Sequence, residues 1–163
     1  MYVRYVVCSV FFFSFVGFLF LAGDTPPAVC FVMVFPFDLD DDLAAIDFDG
    51  LIIPGGMRSV EKLFDDPHAK RILKAFLKAD MPVLLIGDSV KLLIAVEKVA
   101  GISLTSSFNV KENLITASAN WVDQEVVLDK NLITGSGSFK LEELVLEFSN
   151  KVSGYEKEST EAA

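Results

Sequence analysis

Histidine and cysteine are scarce in this chain. Among 163 residues there is one histidine, His68, and two cysteines, Cys8 and Cys30. Two thiols with no histidine near them do not make a zinc pattern, and a single histidine allows at most one conventional general base. Charge is also missing from one end. Residues 1–37 carry only Arg4 and Asp24, whereas the remainder carries 13 basic and 22 acidic residues, a balance of −9. An acidic body with scattered lysines repels phosphate backbones, so no nucleic-acid partner is expected. No cofactor or metal site is expected either. Asp38-Leu39-Asp40-Asp41-Asp42 lacks the alternating ligands and the glycine of a calcium loop and reads as a solvated turn into a short helix near Leu43–Ile46.

The length suits one domain with a real core. The chain divides into an apolar segment (residues 1–37), a body (38–152) and a small polar tail (153–163) expected to be disordered. In the first segment Tyr5–Ala22 is an uncharged run of 18 residues. Three readings of it stay open. One is a signal or membrane anchor, which implies membrane contact and a secretory or anchored location; without it the location is cytoplasmic or organellar. Another is a pair of buried strands, Phe11–Leu21 and Val29–Phe35, turning at Asp24-Thr25-Pro26-Pro27. The last is translated non-coding sequence, because a uniformly apolar run has no period to read. If the segment is exported, a Cys8–Cys30 disulfide is compatible with the compartment.

The body alternates strands and helices. Gly50–Ile53 is an apolar run stopped by Pro54-Gly55-Gly56. A helix begins near Ser59, breaks at Asp66 and restarts with Pro67 at its first position, Asp66 serving as the cap. Pro82–Ile86 is a second buried strand, followed by Gly87-Asp88-Ser89 and an amphipathic helix to Ala100 with Leu92, Leu93, Val96 and Val99 inward. Ser103–Ser106 reads as a short strand. Val126–Leu128 and Leu132–Thr134 flank the turn Asp129-Lys130-Asn131 as a hairpin, and Leu141–Val152 is the last amphipathic helix. Continuous apolar strands between helices imply an α/β fold, a parallel sheet covered on both faces. Its core is expected to include Leu51, Ile52, Ile53, Val83, Leu84, Leu85, Ile86, Leu92, Leu93 and Val96.

Four motifs occur in register over about 100 residues. Asp49-Gly50-Leu51-Ile52-Ile53-Pro54-Gly55-Gly56 resembles "D-A-L-V-I-P-G-G", and Lys78-Ala79-Asp80-Met81-Pro82-Val83 resembles "A-G-K-P-V". Leu104-Thr105-Ser106 resembles "L-T-S-Y", and the stretch from Trp121 to Thr134 resembles "W-V-D-x-x-V-V-V-D-G-N-L-I-T". These are motifs of the ThiJ/PfpI family, in the class I glutamine-amidotransferase superfamily. The resemblance implies a flavodoxin-like sheet whose N-terminal strand–helix–strand unit is here missing or replaced. It also implies relatives that are peptidases, deglycases, glyoxalase-like enzymes, chaperones or redox sensors, and association with a second copy or a related domain.

The reactive group of that family is a cysteine on a strained strand-to-helix elbow, usually followed by His-Gly. A helix end lowers the pKa of such a thiol. In this chain Gly87, Asp88 and Ser89 stand at those three positions, so no nucleophile is present and no catalytic residue is expected. Glycine tolerates positive φ, so the turn is expected to persist without its chemistry. The family's elbow glutamate has no counterpart in residues 1–37, and its Ser-Arg-Gly-Pro matches Gly135-Ser136-Gly137-Ser138, without the arginine. Gly55 and Gly56 remain as a vestigial oxyanion turn. Ser89 lies two places past the elbow, Asp88 at a helix start is a poor base, and His68 belongs to another helix; a hydrolase built on them is the minor reading.

Overall fold

In the computed structural model the described residues are 3–8, 29–34, 49–137 and 140–161, with side chains from 49 to 137 and from 140 to 154. The expected Phe11–Leu21 strand, the turn at Asp24–Pro27 and the Asp38–Ile46 region lie outside them.

A six-stranded sheet runs in the order β2-β1-β3-β4-β8-β7. Its strands are β1 (Val3–Cys8), β2 (Val29–Val34), β3 (Gly50–Ile53), β4 (Val83–Ile86), β7 (Val126–Asp129) and β8 (Leu132–Gly135). Every neighbouring pair is parallel except the β7–β8 hairpin. This is the parallel α/β sheet expected from the apolar strands, in the flavodoxin-like form that the resemblance implies, and β1 and β2 of the first segment stand where the unit in question belongs. β1 pairs with β3 through Tyr5–Gly50, Val6–Leu51 and Val7–Ile52. Without it, the inner edge of β3 would present unpaired amides and carbonyls.

The placement of β1 bears on two readings that the sequence left open. A membrane-spanning helix across Tyr5–Ala22 conflicts with a strand that includes Tyr5–Cys8, and among the described residues no helix is long and apolar enough to cross a membrane. The Cys8–Cys30 disulfide conflicts with register. Cys30 pairs with Arg4 and Cys8 with Val34, four residues further along. At about 3.3 Å per residue the cysteines are roughly 13 Å apart, beyond the ~7 Å that a disulfide spans.

Strand residues alternate between two cores. Leu51, Ile53, Val83 and Leu85 face one side with Val60, Leu73, Phe76, Leu93 and Leu104. Ile52, Leu84, Ile86 and Ile133 face the other with Leu144, Phe148 and Val152. All ten expected core residues are buried. The first layer is carried by α1 (Met57–Asp65), α2 (Pro67–Lys78), α3 (Leu92–Ala95) and α4 (Lys111–Thr116), and the second by α5 (Leu141–Glu161). The Asp66 cap is present, its carboxylate accepting the His68 amide at 2.9 Å.

Three boundaries differ from the sequence pattern. The helix expected to reach Ala100 is a 3-10 turn, Gly87–Lys91, followed by α3, which ends at Ala95. It closes with Glu97 at φ 58°, Glu97 N–H bonding Ile94 O at 3.1 Å and Lys98 N–H bonding Leu93 O at 3.0 Å. That is a Schellman stop without its usual glycine. The strand Ser103–Ser106 shortens to β5 (Ser103–Leu104), paired with β6 (Asn120–Trp121) in a separate small sheet. On its other side the strand is held by side chains of the hairpin, the Ser103 amide donating to Asp129 Oδ2 at 2.7 Å and the Thr105 amide to Thr134 Oγ1 at 3.0 Å. The tail expected to be disordered from Ser153 is helical to Glu161. Extending a nucleated helix adds one hydrogen bond per residue fixed, and no proline interrupts the segment.

Candidate functional site

In the sheet β1 and β3 are neighbours, and the strands that follow them in sequence, β2 and β4, lie on opposite flanks of that pair. In open parallel sheets a crevice forms at such a switch, outside the carboxyl ends of the strands. The carboxyl ends of β3 and β4 carry Pro54-Gly55-Gly56 and Gly87-Asp88-Ser89, so the two turns singled out in the sequence are brought to one rim.

The turn after β4 has a left-handed backbone. Gly87 has φ 63°, a conformation that costs an L side chain about 1–2 kcal/mol. Among the described residues a Cβ there would meet Ser136 O at 3.8 Å and Ser107 Cβ at 4.0 Å, both ordinary van der Waals contacts. Gly55 is glycine for a different reason. A Cβ on it would stand 2.7 Å from Ile86 O, so the turn after β3 lies directly against the elbow backbone. Gly56, at φ 129°, starts α1, its carbonyl accepting the Val60 amide at 2.9 Å.

Ser89 is fully buried and committed. Its hydroxyl oxygen accepts the Ile86 amide at 2.8 Å, and its own proton faces Ile53 O at 2.8 Å and Ile86 O at 3.0 Å. It ties the end of β3 to the end of β4 and presents nothing to a substrate. Asp88 is part-exposed, and its carboxylate accepts a hydrogen bond from the Ser107 hydroxyl. The Ser107 amide donates to Gly87 O at 3.3 Å, which holds the following 3-10 turn, Phe108–Val110, against the elbow. His68 is exposed in the first turn of α2.

Gly87, Asp88, Gly55 and Gly56 therefore meet as the motif order implied, and Ser89 turns inward. Ser107 was not anticipated; it directly follows the Leu104-Thr105-Ser106 motif, but its partner Asp88 is 19 residues away and only the fold reveals the pair. Beside it, Trp121 donates from Nε1 to Ser106 Oγ at 3.2 Å, and the Lys111 ammonium lies 3.8 Å from the Trp121 ring centre. Phe108 is 82% exposed on the same turn, an apolar projection next to the elbow.

Comparison with known proteins bears on the family and the fold. The chain is 36% identical over 108 residues to an uncharacterized protein of Staphylococcus saprophyticus, covering 65% of this chain and 62% of that one. It is 37% identical over 93 residues to the Bacillus subtilis protein named "Putative cysteine protease YraA", covering 57% and 54%. The chain thus spans between half and two thirds of the length of these relatives. Among solved structures, a ThiJ/PfpI domain protein from Brachyspira murdochii superposes with a TM-score of 0.70 at 17% identity, covering 94% of this chain and 96% of that one. Drosophila melanogaster DJ-1beta superposes with a TM-score of 0.69 at 18% identity, covering 96% and 94%. At such identities the likeness concerns the fold. The family model matches residues 33–151, nearly the whole of the motif-bearing body, and this chain belongs to the DJ-1/PfpI family.

Proposed function

We propose that this chain is a non-catalytic member of its family, a pseudoenzyme or interaction module. The reading rests on one observation. The elbow has the backbone of a nucleophile turn, with φ 63° at Gly87, and no side chain at its apex. The adjacent hydroxyl cannot substitute, because Ser89 is fully buried and its hydrogen bonds are spent on Ile86 and Ile53. Gly55 then serves as a packing glycine against Ile86 O instead of an oxyanion donor.

A second reading, a residual hydrolase, deglycase or glyoxalase-like enzyme using a non-cysteine group, has one observation in its favour: the Ser107 hydroxyl is hydrogen-bonded to the Asp88 carboxylate beside the elbow. The two separate in a simple assay. Methylglyoxal and a small ester are offered to the chain with its thiols blocked, since Cys8 and Cys30 are both reactive in principle. Background rates are expected. Turnover that survives thiol blocking and disappears in Ser107→Ala would overturn the non-catalytic reading.

As an interaction module the chain is expected to pair with itself or with a related domain. Helix α5 supports this, because Leu141, Val145 and Leu146 are exposed on it, as is Leu128 on the edge strand β7. Light scattering on the eluting chain tests it, with a monomer at micromolar concentration counting against self-association.

A further inference from the structure

We propose that the basic outer face of α2 docks on the acidic outer face of α5 in a second copy, so that copies join head to tail. The inference rests on the interaction-module reading and names the surfaces such a module uses.

α2 runs against the charge of the chain. The whole carries a balance of −9, yet Pro67–Lys78 holds Lys70, Arg71, Lys74 and Lys78 and no acid. Lys70, Lys74 and Lys78 follow at i, i+4 spacing and lie along one row of the helix surface. Lys74 and Lys78 are exposed, and Lys70 is part-exposed. Like charges in such a row repel, and none of the three forms an ion pair among the described residues. Lys91 adds to one end of the row. Its ammonium lies 5.1 Å from the Phe64 ring centre, and that of Lys70 lies 5.7 Å from the same ring. A ring face holds a cation without cancelling its charge.

α5 supplies the complement. Between Leu141 and Gly154 it carries Glu142, Glu143 and Glu147 against Lys151 alone. Lys140 takes up Glu143 at 3.2 Å and Glu125 at 3.1 Å, while Glu142 and Glu147 form no ion pair among the described residues. Leu146 is 61% exposed on the same helix, with Leu141 and Val145 also exposed. As the charges meet, these apolar side chains leave water, a gain that a phosphate polymer does not offer. α2 and α5 cover opposite faces of the sheet. A pair joined in this way keeps one free α2 and one free α5, so growth passes the dimer.

The test is light scattering of the full chain from micromolar to millimolar concentration. At about 0.15 M salt the screening length is ~8 Å, so the overall like charge of two copies is largely screened while facing side chains still attract. The mean mass is expected to rise past that of a dimer there, and to fall back at about 1 M, where the length is ~3 Å. Lys74→Glu with Lys78→Glu makes both faces acidic, and Glu142→Lys with Glu147→Lys makes both basic. Each double variant alone should associate on the order of tenfold more weakly, and an equimolar mixture of the two should recover the assembly. The single exchanges Lys78→Glu and Glu142→Lys should act in the same directions, which keeps the test open where a double variant fails to fold. A dimer whose mass ignores salt, or a mixture no heavier than its components, would overturn the proposal. So would a parent chain that stays monomeric yet binds phosphatidylserine vesicles through Lys74 and Lys78, which assigns the row to a membrane. The salt-independent dimer removes these two surfaces and leaves pairing intact. A monomer under every condition removes self-association as well, and the non-catalytic reading falls only to turnover.

Discussion

The Ser89 hydroxyl stands 2.8 Å from the carbonyl of Ile53, a residue 36 places earlier in the chain, and joins the carboxyl ends of β3 and β4 beneath the elbow. The same oxygen accepts the Ile86 amide, so one side chain satisfies a buried donor and a buried acceptor where the strand ladders end. By the motif resemblance its position corresponds to the glycine of the family's Cys-His-Gly. What looks in sequence like a candidate nucleophile is in the fold a fastening between strands.

Ser89→Ala should therefore destabilise the chain by about 1–3 kcal/mol, the cost of leaving buried polar groups unsatisfied. Urea unfolding measures it. A change below about 0.5 kcal/mol would mean that the backbone groups find other partners and that the hydroxyl is not the fastening.

Gly87→Cys should fold and remain inactive. The new Cβ meets nothing closer than 3.8 Å, so the cost is the positive φ, about 1–2 kcal/mol. The residue that follows it is Asp88, whose negative charge opposes thiolate formation nearby, and the His-Gly and the glutamate that the family resemblance implies for active members are absent. Robust methylglyoxal or deglycase turnover by the single variant would contradict this.

Leu85→Ala removes a fully buried side chain from the centre of β4, between β3 and β8. A loss of about 2–5 kcal/mol is expected for a cavity that the paired strands cannot close. A loss under about 1 kcal/mol on denaturant unfolding would place Leu85 outside the core.

Glu97→Gly should stabilise. Glu97 occupies the left-handed position of the Schellman stop after α3 at φ 58°, where a side chain is strained and glycine is not. The relief is partly offset by the greater freedom of glycine in the unfolded chain, leaving a gain of about 0.5–1 kcal/mol. A lower melting temperature would show that the Glu97 side chain makes contacts that outweigh its backbone strain.

Much of this protein was legible from its residues. The apolar runs Gly50–Ile53 and Val83–Ile86 have no polar face, which only a strand covered on both sides tolerates, and both are buried throughout. The Asp66-Pro67 break was readable because a cap and a first-turn proline are local chemistry. The absence of a thiol at the elbow is a covalent fact that no folding changes. The tertiary structure decided what depends on distant partners. A uniformly apolar run has no period, so the place of β1 in the sheet and the separation of Cys8 from Cys30 came from strand register. The partner of the Thr105 amide is Thr134, 29 residues away, which no local pattern announces. Ser89 and Ser107 are both serines beside the family's motifs, and local sequence treats them alike. One hydroxyl is buried against Ile53 and the other faces Asp88, because hydrogen bonding is set by which groups the sheet brings within about 3 Å, not by which groups are neighbours along the chain.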